Sequence, residues 1–229
     1  MVKLSESIWY TEPVTETDRP VLALIRGTRR SLMVDGGNSP RHAREFLQEL
    51  READVAGPDL IAITHAHCDH LFGLGELGGL VIANRLTDER MKELAALGWD
   101  DAALERRVEN GLEFASTLNM LRIEMPGDRG GLVVRAADIV YRDELALDLG
   151  GIECRLRRVG GGHTRDSAVV WVPRRRIVFL GDCLYCNQRD ENVLDELYGT
   201  LMSMDADLYV DSHLERVIER KYLRDTLYS

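Results

Sequence analysis

Six consecutive residues, His65-Ala66-His67-Cys68-Asp69-His70, gather metal-ligating side chains directly behind the apolar run Leu60-Ile61-Ala62-Ile63. That run is too short for a stable helix and follows Gly57-Pro58, so it reads as a buried strand with the cluster at its end. Side chains two apart in an extended segment point to one side, so His65 and His67 can grip one ion together. Asp69 and His70 follow as the chain turns over, and can face a second ion close by. Imidazole and carboxylate suit zinc, and also iron or manganese.

Further ligand types sit at similar places. His163 lies in Gly160-Gly161-Gly162-His163-Thr164, where the glycines let backbone pass close to an ion or ligand. Asp182 ends the apolar run Ile177-Val178-Phe179-Leu180-Gly181, and His213 follows Val210-Asp211-Ser212. Of the six histidines only His42 is left over; it falls in a polar helical segment and is expected on the solvated surface. Cys183-Leu184-Tyr185-Cys186 is a lone C-x-x-C beside Asp182, and Cys68 lies among the ligands. Small buried thiols are the expectation there, a redox pair controlling access to the metals the alternative.

Strands and loops must place these groups. Strands are expected at 8–10, 21–25 and 31–35, the last broken by Gly36-Gly37-Asn38. Ser39-Pro40 opens a helix over 41–53 with Ala43, Phe46, Leu47 and Leu50 on one face. After the 60–63 strand and the cluster comes a strand at 80–83. Over about 87–123 a helical insertion is expected, its first helix capped by Thr87-Asp88-Glu89 and its second carrying Leu104, Val108, Leu112 and Ala115. It either covers one flank of a sheet or forms a substrate cover beside the cluster. Strands return at 139–141, 145–147, 152–156, 168–172 and 177–180, with Arg174-Arg175-Arg176 as a solvated turn. A helix at about 193–204, a strand at 208–210 and a helix after His213 complete the pattern. Two successive halves of strands and helices imply two packed sheets with helices outside, as a single domain over 1–229.

The net charge of −10 argues against a general nucleic-acid or anionic-membrane binder, so a small-molecule substrate is expected. Residues 1–7 hold no apolar core of signal-peptide length, no segment would span a bilayer, and four cysteines do not suggest a disulfide scaffold. A cytoplasmic protein is the expectation. The apolar stripe over 100–118 can bury against its own sheet or in a homodimer.

The ordered set His-x-His-x-Asp-His, Gly-His-Thr, Gly-Asp and a late His resembles the metallo-β-lactamase-fold hydrolases, from the strand ending at Asp35 to beyond His213. Asp182 makes the chain similar to the glyoxalase II and lactonase-like branch rather than the true β-lactamases, which lack a bridging Asp there. The resemblance implies an α+β fold, an αββα sandwich of two mixed β-sheets flanked by helices, with the site at one edge. It implies His65, His67 and His163 on one metal, Asp69, His70 and His213 on the other, and Asp182 bridging. It also implies Asp35 as a residue orienting a histidine; Thr64, Thr164 and Ser167 can either help there or serve as ordinary turn residues. Ser212-His213-Leu214 departs from the Gly-His-Gly of many relatives.

Such a site calls for two divalent ions, zinc first and Mn2+ or Fe2+ as substitutes, that hold a water and lower its pKa. The hydroxide would attack an ester, thioester, lactone or phosphodiester, with Asp69 orienting it and taking a proton. Tyr185, spaced from Asp182 like a tyrosine of the quorum-sensing lactonases, is the candidate donor to the developing oxyanion. Two other classes compete. An iron-dependent oxidoreductase acting on sulfur compounds would generally use one iron and fewer ligands, and a non-catalytic metal-binding sensor would be expected to have lost some.

Overall fold

The structure, a computed structural model, describes residues 1–185 and 190–228. Seven strands form the first sheet in chain order: β1 (Val2–Ser5), β2 (Ile8–Tyr10), β3 (Ala23–Arg26), β4 (Ser31–Val34), β5 (Leu60–Ala62), β6 (Leu80–Asn84) and β7 (Ile139–Tyr141). The pairs from β1 to β4 are antiparallel and those from β4 to β7 parallel. Six more strands follow: β8 (Glu144–Asp148), β9 (Glu153–Arg158), β10 (Ala168–Val172), β11 (Ile177–Gly181), β12 (Leu208–Asp211) and β13 (Ile218–Glu219). Their order is β13-β12-β11-β10-β9-β8, antiparallel except between β11 and β12.

Period-two alternation sorts the apolar side chains between two faces. Ala23, Ile25, Leu32 and Val34 face the second sheet and meet Leu156, Val170, Val172 and Phe179. Leu24 and Met33 point the other way, onto helices. The first of these, α1 (Pro40–Glu52), starts with the Ser39 side chain accepting from the His42 N–H and buries Ala43, Phe46 and Leu50. A single turn, α2 (Cys68–Leu71), follows β5. Then α3 (Arg85–Ala95), α4 (Asp101–Glu109) and α5 (Ala115–Glu124) add Met91, Leu94, Leu104 and Leu121 to the same outer core. On the far side α6 (Glu191–Met202) and α7 (Leu223–Leu227) press Leu194, Leu197, Leu201 and Leu223 onto Val178, Leu180 and Tyr209. Helices thus flank two packed mixed sheets, the expected αββα sandwich. Among the described residues no helix is long and apolar enough to cross a membrane.

Local departures have local causes. The 87–123 stretch holds three helices rather than two. Asn84, not Thr87, caps the first, its side chain accepting from the Leu86 and Thr87 N–H groups. The second ends at Gly111, whose φ of 67° is costly for other residues; its N–H donates to Val108 O while Leu112 N–H donates to Arg107 O. Those paired bonds are a Schellman stop, so Leu112 leaves the expected stripe while Leu104 and Leu118 turn into the core. After His213 the chain adds the edge strand β13 before the short α7, and β1 pairs onto β2 where no strand was expected. His42 is not on the surface: it is 5% exposed, accepts from the Asn38 N–H, and burial beside Arg19 lowers its pKa to about 3. The amphipathic pattern of α1 concealed this, because a neutral imidazole can serve as a buried acceptor.

Candidate metal centre

Strand ends from both sheets converge at one edge of the sandwich. Asp35, just past β4, has a φ of 61°, a conformation few non-glycine residues adopt. Its Oδ1 accepts from the Thr64 N–H (2.8 Å) and hydroxyl (3.0 Å), and its Oδ2 from His70 Nδ1 (2.8 Å). This fastens the turn after β5 and aims His70 Nε2 into the cluster, the orienting contact expected of Asp35. Gly181 ends β11 with φ 55°, and a Cβ there would meet Thr64 Cβ at 2.7 Å, so glycine lets Asp182 approach this turn. The His163 loop is tied down by Asp166, a residue the sequence did not single out. Its carboxylate accepts from the Ala66 N–H (2.9 Å) and the Thr87 hydroxyl (3.0 Å).

The seven expected ligands form two groups of four that share Asp182: His65, His67, His163 and Asp182, and Asp69, His70, Asp182 and His213. Within each, the candidate ligand atoms lie within 4.8 Å of one another. In the second group His70 Nε2 is 3.1 Å from Asp69 Oδ2 and 3.3 Å from Asp182 Oδ1. His213 Nε2 is 3.2 Å from Asp69 Oδ2 and 3.4 Å from Asp182 Oδ2.

Hydrogen bonds on the far side of the rings test whether these groups suit a metal. Thr64 Oγ1 already donates to Asp35, so it accepts from His65 Nδ1–H at 3.1 Å. His163 Nδ1–H donates to Tyr185 O at 3.0 Å. Both rings therefore present an unprotonated Nε2, and those nitrogens face each other at 3.2 Å, with His67 Nδ1 3.1 Å from His163 Nε2. Burial lowers the pKa of both imidazoles, so neither of these two Nε2 atoms supplies a proton to relieve their lone-pair contact. A cation relieves it: nitrogens around a tetrahedral ion at ~2.0–2.1 Å lie roughly 3.3 Å apart. His70 Nε2 and Asp182 Oδ1, both buried, have no hydrogen-bond partner among the described residues. The residues fit divalent metal.

The charges agree. Burial opposes ionisation of Asp69 and Asp182, but His70 and its neighbours hold both carboxyls well below the usual range. Burial opposes a proton on His213 too, yet Asp182 and Asp69 raise its pKa to about 10. Carboxylates that hold a proton on His213 this tightly make an anionic pocket, and metal entering it would displace that proton, since ligands must shed protons to bind metal.

Other residues complete the surroundings. Asp18 Oδ1 lies 3.5 Å from His213 Nδ1, on a loop anchored by Arg19 to Glu124 and Glu45. Nothing in the sequence pattern pointed to it. Asp211 Oδ1 accepts from the His213 N–H (2.9 Å) and the Tyr185 hydroxyl (2.9 Å), and burial raises its pKa to about 6. Its place two residues before His213 was the available signal. Tyr185 is on the cavity wall, its hydroxyl spent on Asp211. Thr164 and Ser167 bond each other at 2.8 Å. Cys68 and Cys183 are buried; Cys186, the other half of the C-x-x-C, lies outside the described residues. A cavity of about 790 Å³ is lined by members of both ligand groups and by residues of the 86–120 stretch.

Residues 21–227 match the sequence profile of the metallo-beta-lactamase superfamily. Acyl-coenzyme A thioesterase MBLAC2 of Gallus gallus is 27% identical over 188 residues, covering 77% of this chain and 62% of that protein. Its Homo sapiens counterpart is 25% identical over 189 residues, covering 77% and 63%. The chain thus spans about three fifths of the length of these curated relatives. A solved metallo-beta-lactamase from Pontibacter korlensis superposes with a TM-score of 0.67 at 19% identity, over 99% of this chain and 96% of that one, a likeness of fold. With the profile spanning nearly all of the sequence and its ligand set gathered at one edge of the sandwich, the chain belongs to the metallo-beta-lactamase superfamily.

Proposed function

We propose that the protein is a dinuclear metal-dependent hydrolase of a small-molecule substrate, zinc-loaded by preference, with acyl thioesters the first bond type to try and esters, lactones and phosphodiesters next. The observation that carries this is the pair of four-residue groups of candidate ligands joined through Asp182. The thioester ranking comes from the name of the vertebrate relatives.

Bound there, a pair of divalent ions supplies an activated water and a Lewis acid for the electrophile's oxygen. His65, His67 and His163 would hold one ion, Asp69, His70 and His213 the other, and Asp182 both. Asp69 borders the cavity and, kept ionised, can accept a hydrogen bond from the attacking water and pass on its proton. Asp35 and Thr64 keep His70 and His65 turned so that Nε2 faces inward. Tyr185 can exchange its bond to Asp211 for one to the substrate's oxygen as negative charge grows there.

The test is a panel of those four bond types, run on metal-free and metal-restored protein. Turnover that requires metal and falls at least about a hundredfold in Asp69→Asn is the expected result. Folded, metal-loaded protein that hydrolyses none of them would refute the reading.

A further inference from the structure

The two most exposed large apolar side chains among the described residues are Phe114 (78%) and Leu112 (73%), and both line the cavity that holds the metal ligands. Scattered exposed leucines need no explanation, but two flanking one charged residue at the mouth of a catalytic cavity do.

Their exposure is built into the turn. Leu112 is the residue after the left-handed glycine of the Schellman stop, a position that commonly packs back against an apolar residue of the last helical turn. Here the residue it would meet is Arg107, whose guanidinium lies over the Trp99 ring at 4.7 Å instead. Leu112 therefore lacks the apolar contact that commonly closes such a stop. Phe114 sits just before α5 in extended conformation (φ −88°, ψ 142°), which keeps its ring outside the helix as well. Deeper in, Leu94 and Met120 continue the wall and are buried. The wall mixes charges of both signs: apart from the metal ligands, Asp18, Glu113 and Asp166 stand against Arg90 and Arg165. It offers apolar area rather than a field of one sign.

We infer that Leu112 and Phe114 are specificity-determining residues, forming with Leu94 and Met120 a subsite for an extended hydrocarbon chain attached to the scissile carbonyl. The inference rests on the hydrolase reading of the same site for its kinetic arm and is independent of it for its binding arm. Hydrolysis leaves the chain on the carboxylic acid product, so the acid itself is a ligand of the subsite.

A series of straight-chain acyl thioesters, acetyl to decanoyl, with one common thiol tests the kinetic arm. Each methylene that reaches the wall is expected to raise kcat/KM about three- to fourfold. In the double variant Leu112→Ser/Phe114→Ser the octanoyl-to-acetyl ratio is expected to fall at least tenfold. Both side chains are exposed, so the fold should survive, as circular dichroism and thermal unfolding can verify. The binding arm uses 11-(dansylamino)undecanoic acid with metal-free protein, its fluorescence rising with wild type and not with the double variant. Probe binding that follows this pattern without turnover on any of the four bond types would sustain the subsite while removing the hydrolase reading. Turnover with a flat chain-length profile, or a profile and probe binding unchanged in the double variant, overturns the inference.

Discussion

Each histidine of the second ligand group has a carboxylate behind its Nδ1. Asp35 serves His70 at 2.8 Å from a buried position, and Asp18 faces His213 at 3.5 Å from a looser loop. Such partners fix which nitrogen meets the metal and raise its basicity. Replacing Asp18 by Asn should weaken the second metal about ten- to a hundredfold, with Asp18→Glu recovering part of the loss. Calorimetric metal titration reads this directly, and a second affinity unchanged in Asp18→Asn would remove Asp18 from that role. The gathering of the candidate ligands was legible because the 65–70 cluster is local, and because Asp182 and His213 each follow an apolar run that reads as a strand. Asp18 was not, since its meeting with His213 depends on how a distant loop lies across the sheet edge. His42 misled for the opposite reason: local polarity around it says nothing of the side facing Arg19 and Asn38.

Beyond the apolar packing of Met91, Leu94, Leu104 and Leu121, one acidic residue at the end of α5 ties the helical stretch to the core. Glu124, the last residue of α5, accepts from Arg19 at 3.1 and 2.7 Å and from the Ser39 hydroxyl at 2.6 Å, and is almost fully buried. Ser39 also caps α1, and Arg19 adjoins Asp18, so this cluster joins α5, α1 and the loop behind His213. Removing one member of such a buried pair strands its partner. Glu124→Ala should therefore cost about 3 kcal/mol in urea unfolding, and Glu124→Gln, which keeps acceptors for both neighbours, distinctly less. Equal and small losses in the two variants would show the clamp to be incidental. At this scale the strands were legible from apolar runs bounded by Gly and Pro. The break at Gly111 was masked by the spacing of Leu104, Val108, Leu112 and Ala115, which mimics one continuous helix although Asn110-Gly111 is a stop signal.

Across the whole molecule the candidate metal centre joins the two sheets. Asp35, His65, His67, Asp69 and His70 follow strands of the first sheet, whereas His163, Asp182 and His213 come from loops of the second. Each ligand group draws on both, so the site is complete only when the sheets are packed through Ile25, Leu32, Val170 and Phe179. Metal that binds the folded state alone stabilises it by mass action. The two-sheet architecture was legible because the strand pattern repeats in two halves; the order of strands within each sheet was not, since it depends on pairings between distant segments. The most direct measurement is elemental analysis of folded protein purified without chelator, beside Asp182→Asn. The account predicts about two divalent ions per chain, zinc foremost, and clearly fewer in the variant because one carboxylate serves both positions. A single ion per chain in wild type, or two that persist undiminished in Asp182→Asn, would contradict it.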